Sequence, residues 1–154
     1  MIATDRERQE FRIGFLAAIV MLIVQLLLGM GVNLFVTVPP NHPGANPPEY
    51  FSGVVQSVTW AILHGPVLLV LHAVLGLILV LSGFGFLFGA IGRRRKGLIW
   101  TTAIGAVAIL GAGFNGGSYL NYHEDFSSMI MASFLAIAVM AYVVGLYLVA
   151  RASG

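Results

Sequence analysis

The stretch HGPVLLVLHAVLGLILVLSGFGFLFGAIGRRRK, His64–Lys96, decides the fold class of this chain. It contains two histidines but no Lys, Arg, Asp or Glu before Arg93. A helix of roughly 20 mainly apolar residues is enough to cross the hydrocarbon core of a bilayer, and this run is longer. The stretch therefore predicts a membrane-spanning helix that ends at a cluster of basic residues.

The composition extends this prediction to the whole chain. Of its 154 residues, 58% are hydrophobic and 9% are charged, whereas about 25% of a typical soluble domain is charged. The chain has no cysteine, so it supplies no thiolate for zinc or for an iron–sulfur cluster. We expect a multi-pass protein of a prokaryotic plasma membrane, in which any metal or haem is held by His, Met or carboxylate ligands.

Four segments are long enough to cross a bilayer, and they predict an all-α, four-helix membrane bundle in a single domain, 1–154. They cover residues of about 12–36, 57–91, 98–118 and 126–150. The first is longer than the apolar core of a signal peptide, so we expect it to be retained. The second is longer than one bilayer requires, and Gly65-Pro66 predicts a break near its outer end.

The basic residues predict the orientation of the bundle. All eight lie before or at the start of the first segment, between the second and third, or after the fourth: Arg6, Arg8, Arg12, Arg93, Arg94, Arg95, Lys96 and Arg151. Because Lys and Arg are retained on the cytoplasmic side, both termini are expected to be cytoplasmic. The outer loop 37–56 is rich in proline and is expected to form a semi-rigid lid without regular structure.

A short internal similarity suggests a duplicated helical hairpin. LGMGVN, Leu28–Asn33, lies near the outer end of the first segment, and LGAGFN, Leu110–Asn115, lies near the outer end of the third. The glycine pairs Gly29/Gly31 and Gly111/Gly113 remove side chains at that depth. Such surfaces allow helices to pack closely, or allow a flat cofactor to lie against the backbone.

The histidines are the main candidates for function, because ionisable residues inside membrane helices are costly. His72 lies within the second segment, and His64 precedes it by about 12 Å of helix, too far for both to bind one ion. We expect His64 to meet His123, which precedes the fourth segment, or His42 of the lid. Alternatively, His42 and His123 are solvated loop residues, and His72 hydrogen-bonds a neighbouring helix.

The segment HAVLGL, His72–Leu77, the histidines on a four-helix bundle and the glycine-flanked helix ends resemble membrane-bound b-type cytochromes, including b561-like proteins and the half-repeats of haem A synthase. This resemblance implies haem b, with iron held axially by histidines from different helices, and electron transfer with quinol or a redox partner subunit. His64 and His123 are then the expected ligand pair. His72 is expected to contact a ligand or to bind a second haem, with Met30 or Met131 as an alternative ligand.

Two other functions are compatible with the sequence. The chain is small, little of it lies outside the four segments, and a bundle of them would expose apolar helix faces, as expected of an accessory subunit in a larger membrane complex or oligomer. The outer residues His123, Glu124 and Asp125 would instead suit a small transporter or a metal-handling protein, although the two carboxylates are also expected to cap the fourth helix. Nucleic-acid binding and hydrolase chemistry are not expected, because the sequence contains none of their motifs.

Polar side chains near the outer ends of the segments are expected to hydrogen-bond across the bundle or to line a polar pocket below the lid. They are Gln25, Asn33, Asn115 and Asn121.

Overall fold

The computed structural model of this chain describes residues 5–151, which form five helices and no strand. The helices are α1 (Asp5–Phe35), α2 (Tyr50–His64), α3 (Val67–Gly92), α4 (Lys96–Tyr122) and α5 (Asp125–Arg151). Four of them, α1, α3, α4 and α5, are long and apolar enough to cross a membrane. The predicted all-α chain with four membrane-spanning helices is confirmed.

The second predicted segment, 57–91, is two helices. Gly65 and Pro66 both have extended backbone angles, and the Gly65 N–H still bonds the Ala61 carbonyl at 3.2 Å. A Cβ on Gly65 would collide with that carbonyl oxygen, and Pro66 has no N–H to continue the helix. The break predicted at Gly65-Pro66 is therefore confirmed.

The start of α2 differs from the prediction, and so does the extent of the outer loop. The loop was expected to continue to residue 56, but α2 begins at Tyr50. Its first turn is capped by the Glu49 carboxylate, which accepts hydrogen bonds from the N–H groups of Phe51 at 2.9 Å and Ser52 at 2.7 Å. Residues 36–49, which we call the lid loop, contain no helix or strand.

The four long helices form an up-down-up-down bundle. α1 packs against α3 and α5, α4 packs against the same two helices, and α2 packs on α3 and α4. We call the end with α2 and the lid loop the loop end, and the end with the Arg93–Lys96 turn the arginine end. The described basic residues share the arginine end, but the side of the membrane on which it lies stays a prediction, as does the duplicated hairpin.

At the arginine end, the start of α1 is held against the turn between α3 and α4. Arg93 donates to the Glu10 carboxylate at 2.8 Å, and Glu7 lies 3.9 Å from Arg93 Nε. The Arg93 guanidinium also lies over the Phe11 ring, 5.1 Å from its centroid. Exposed ion pairs contribute little stability, about 0–1 kcal/mol each, but these contacts hold the part of α1 that precedes the apolar segment against the turn between α3 and α4.

Aromatic rings fill the half of the bundle nearer the arginine end, which we call the arginine half. The Phe15 and Phe86 centroids are 4.6 Å apart, and Tyr142 lies 5.7 Å from Phe15. A Cβ on Gly145 would overlap the Phe15 ring, and one on Gly105 would overlap the Tyr142 ring. These glycines therefore let large rings cross the bundle where other residues would hold the helices apart.

Candidate functional site

The half of the bundle nearer the loop end contains a cavity of about 460 Å³, and residues from all five helices line it. Its walls are mainly apolar, as with Leu22, Leu69 and Leu135. The polar groups Gln25 and His72 lie on the α1 and α3 sides. An apolar pocket with a few polar groups is the usual form of a small-molecule site.

Glycines on two antiparallel helices make room for the contact between Gln25 and His72. The Gln25 amide donates to the His72 carbonyl at 3.1 Å, and its nitrogen lies 3.4 Å from His72 Nε2. A Cβ on Gly29 would lie 2.9 Å from His72 Cε1, and one on Gly76 would lie 3.2 Å from the Gln25 amide nitrogen. Each polar side chain therefore packs against a glycine of the facing helix.

This contact selects one form of His72. An amide nitrogen can only donate, so Nε2 of His72 must accept, and the neutral ring then carries its proton on Nδ1. That Nδ1 and Gln25 Oε1 are both buried without a hydrogen-bond partner. The pair therefore contains one unused donor and one unused acceptor. Leaving a buried polar group unpaired costs about 1–3 kcal/mol of stability.

The lid loop is fixed to the bundle through His42. The His42 ring nitrogens lie 2.9 Å from the Pro43 carbonyl oxygen and 3.0 Å from that of Leu120. Its ring stacks on Trp60 at a centroid distance of 4.5 Å, and the residue is 6% exposed. The expectation that His42 is solvated is wrong, because α4 and Trp60 cover it.

Asn121, which is fully buried, joins the lid loop to α2 and α4. Its backbone oxygen accepts from Asn46 N–H at 2.8 Å. The surrounding carbonyls favour the amide orientation in which the side-chain nitrogen lies 3.2 Å from both the Gly44 and the Gly53 oxygen and 2.7 Å from Ser57 Oγ.

The polar residues expected to bond across the bundle have different environments. Gln25 and Asn121 do form such bonds, Gln25 to His72 of α3 and Asn121 to Ser57 of α2. Asn115 instead donates to the Gly111 carbonyl of its own helix at 2.9 Å, so the expectation is wrong for this residue. Asn33 is exposed and lines the cavity.

Of the three histidines expected to bind a cofactor, His72 alone lines this cavity. His64 is the exposed last residue of α2. His123 is the exposed C-cap of α4, with φ 56°, and its ring lies 5.9 Å from that of His42. The assignment of His64, His72 and His123 as ligands stays a prediction.

The paired glycines divide between the cavity and helix packing. Gly29 and Gly113 line the cavity. Gly31 faces Leu68, with 3.7 Å from a Cβ to the nearest side-chain carbon, and a Cβ on Gly111 would lie 3.0 Å from the Phe134 ring. The use of these glycines in helix packing is therefore observed, and a cofactor lying against them stays a prediction.

Among residues 5–151, no three or more His, Asp or Glu side chains are grouped so that they could hold a metal ion. Glu124 and Asp125 are exposed, and Asp125 lies in the first turn of α5, where negative charge is favourable. The metal-handling hypothesis gains no support from these residues. The transporter and accessory-subunit hypotheses stay predictions.

Comparisons of the chain with protein-family models, curated proteins and solved structures found no match. The resemblance to b-type cytochromes therefore stays a prediction, and the function must be inferred from the site itself.

Sequence reasoning did not identify Gln25 as the partner of His72. A signal was present: Gln25 and Gly29 are four residues apart on α1, and His72 and Gly76 have the same spacing on α3. Residues four apart lie on one helix face. Two such polar–glycine pairs on antiparallel helices can therefore fit into each other.

Proposed function

We propose that this chain is a multi-pass protein of a prokaryotic plasma membrane that binds a quinone-class molecule in the loop-end cavity. The observation that carries the proposal is the unpartnered pair formed by His72 Nδ1 and Gln25 Oε1, whose residues line a mainly apolar cavity. A quinone carbonyl can accept a hydrogen bond from Nδ1–H, and a quinol hydroxyl can donate to Oε1. The same pair thus suits both redox forms of one ligand.

The exposure of the cavity lining supports a ligand that is dissolved in the bilayer. Val55, Leu77 and Phe114 line the cavity, yet they are 65%, 45% and 38% exposed. They come from α2, α3 and α4, so the cavity reaches the outside of the bundle along apolar side chains. A lipid-soluble ring with an apolar tail can enter by this route without crossing water.

Haem b is the second candidate ligand. A pair of histidines on one haem would have to come from His64 and His123, which are exposed, or include His72, whose Nε2 lies 3.4 Å from the Gln25 amide nitrogen. Met131 of α5 lines the same cavity as His72, and His/Met ligation is known in cytochromes. Such a haem would supply one-electron transfer, and His72 would first have to turn away from Gln25.

Calorimetric titration of the protein in lipid nanodiscs with decylubiquinone tests the first candidate. We expect saturable binding that weakens by about two- to tenfold in Gln25→Leu and in His72→Phe, because each variant removes one hydrogen bond. Gln56→Leu is the matched control, since Gln56 is exposed and does not line the cavity. Equal affinities in all four proteins would contradict the proposal, as would no binding to the unmodified protein.

A visible absorption spectrum distinguishes the two candidates. Haem b is favoured if the unmodified protein shows a Soret band that shifts on reduction with dithionite and the His72→Phe variant lacks this band. Colourless protein from haem-replete cells that binds decylubiquinone favours the quinone.

A further inference from the structure

A second cavity, of about 360 Å³, lies in the arginine half, and most of its lining comes from α1 and α3. Its volume is within the range of about 300–1,000 Å³ that is usual for small-molecule sites. The lining residues Ala17, Ser82 and Gly85 are exposed, so the cavity opens to the outside of the bundle between the two helices. In a membrane-spanning bundle this opening faces lipid.

The hydroxyl of Tyr142 comes to this cavity from α5, across the bundle. An added Cβ on Gly105 of α4 would overlap the Tyr142 ring, and one on Gly83 of α3 would lie 3.5 Å from the Tyr142 Oη. Tyr142 and Gly83 both line the cavity. Tyr142 is 1% exposed, and its Oη has no hydrogen-bond partner among the described residues. Two lining residues therefore place an unused donor next to the cavity, and its O–H can rotate to suit a partner.

The hydroxyl distinguishes Tyr142 from an ordinary packing residue. Phe15 and Phe86 pack on its ring at centroid distances of 5.7 Å and 6.0 Å, and phenylalanine at this position would fill the same space without a donor. A buried hydroxyl that lacks a partner costs about 1–3 kcal/mol. A ligand oxygen that accepts from Tyr142 would remove this cost.

The depth of the cavity limits the class of ligand. Tyr142 lies nine residues before Arg151, and Gly85 lies eight residues before Arg93, which corresponds to about 12–14 Å of helix. Arginines at the end of a span keep their charge near the headgroups, in a region about 5–8 Å thick on each side of the hydrocarbon core. We therefore expect the cavity to lie deeper than the ester carbonyls of phospholipids, where an acyl chain offers no acceptor.

We propose that this cavity binds a lipid-soluble carbonyl compound, whose oxygen accepts a hydrogen bond from Tyr142 and whose apolar body lies between α1 and α3. The ligand enters from the bilayer past Ala17 and Gly85, where small residues leave the opening free. Leu79 and Ile109 are buried and line both cavities, so they lie between this site and the loop-end cavity. The inference does not rest on the proposed function.

Photolabelling with benzophenone tests the site, because its excited carbonyl reacts with nearby C–H bonds. Mass spectrometry of protein irradiated in lipid nanodiscs measures the yield at Met21, which lines this cavity but is not among the residues that line the loop-end cavity. Fluorenone and fluorene are matched competitors, since they share the same fused rings and differ in the carbonyl. We expect saturable labelling, against which fluorenone competes about fivefold better than fluorene at equal mole fraction in the lipid.

Tyr142→Phe should lose this preference for fluorenone, because it removes the donor and keeps the ring. Tyr147→Phe is the matched control, since Tyr147 is an exposed tyrosine of the same helix, and it should retain the preference. Equal competition by the two compounds in the unmodified protein would indicate an apolar groove filled by acyl chains and would overturn the proposal. A preference that survives Tyr142→Phe would overturn it as well.

A second variant keeps the test decisive if Tyr142→Phe does not fold. Ala17→Leu puts a larger side chain at the exposed opening, and we expect it to lower the labelling of Met21 about fivefold. Val20→Leu is its control, because Val20 is exposed on the same helix and is not among the lining residues. Equal labelling of these two variants would contradict the site.

The variant Gln25→Leu separates this result from the proposed quinone site. Labelling of Met21 should be unchanged in Gln25→Leu, because Gln25 lines the loop-end cavity. Loss of the labelling in this variant would assign the probe to the loop-end cavity and overturn the inference. No quinone is present during labelling, so a failure of quinone binding leaves this result standing.

Discussion

The amide nitrogen of Gln25 lies 3.1 Å from the backbone oxygen of His72 and 3.4 Å from its ring Nε2. One side chain of α1 thereby occupies two acceptors of one residue on α3. The contact fixes the His72 ring and places the proton of the neutral ring on Nδ1 rather than on Nε2. The proposed binding of a quinone in the cavity should therefore depend on the residues that hold this pair, as well as on the pair itself.

Gly29→Ala should damage the site, because the new Cβ would lie 2.9 Å from His72 Cε1 and the ring would have to move. We expect a loss of about 1–3 kcal/mol in the free energy of unfolding and weaker decylubiquinone binding. Gly31→Ala is the matched control, with 3.7 Å to the nearest atom. Unfolding in a mixed-detergent titration measures the first effect, and equal losses in the two variants would contradict the assignment.

Gly145→Ala and Gly105→Ala should destabilise the arginine half, because each Cβ would overlap an aromatic ring, that of Phe15 or of Tyr142. We expect each to cost about 1–3 kcal/mol or more, as overpacked cores do. At Gly85 no atom lies within 4 Å of an added Cβ, so Gly85→Ala should be nearly neutral. Thermal aggregation temperatures in detergent provide the comparison, and the prediction fails if the three variants behave alike.

Asn121→Leu should release the lid loop from α2 and α4, because it leaves the carbonyls of Gly44 and Gly53 without their donor. We expect a loss of about 1–3 kcal/mol and faster proteolysis between residues 36 and 49. Asn115→Leu serves as control, since Asn115 bonds within its own helix. Cleavage rates with a nonspecific protease should rise for the first variant only.

Acidification should weaken the start of α2 through Glu49. The N–H groups of Ser52 and Phe51 lower the pKa of Glu49 by donating to its carboxylate. A group whose pKa is lower in the folded state stabilises the fold above its unfolded pKa, and this contribution is lost as the pH falls through the folded value. NMR titration of the Ser52 amide proton should follow this transition. In Glu49→Gln the amide should show no such acid step.

The spans of the helices could be read from the sequence because apolar length is a local property. The break at Gly65-Pro66 could be predicted for the same reason. Pro66 has no N–H to continue a helix, and this effect needs no contact with another part of the chain. The start of α2 was missed because it depends on one carboxylate, that of Glu49, capping two amides within a proline-rich loop. A single capping residue predicts a helix start only weakly, whereas the five prolines of this loop predict irregular structure strongly.

The pairing of His64 with His123 stays a prediction, because it rested on similar depth in the membrane and depth alone does not make two residues neighbours. His64 and His123 were paired on depth, but each lies on an exposed helix end. His72 acquired Gln25 instead, a contact that depends on how α1 and α3 are rotated against each other. His42 was taken for a loop residue facing water, but its burial depends on a carbonyl of α4, 78 positions away in the chain.

The helical class, the number of apolar spans, the clustering of the basic residues and the break before Val67 could all be predicted from the sequence. An apolar segment in lipid forms a helix because its backbone groups have no water to hydrogen-bond. The contacts between polar groups, the glycines that line the cavity and the attachment of the lid loop became known from the packing of the helices. Those outcomes depend on helix rotation and register, and these are set by many small packing contacts between segments distant in the chain.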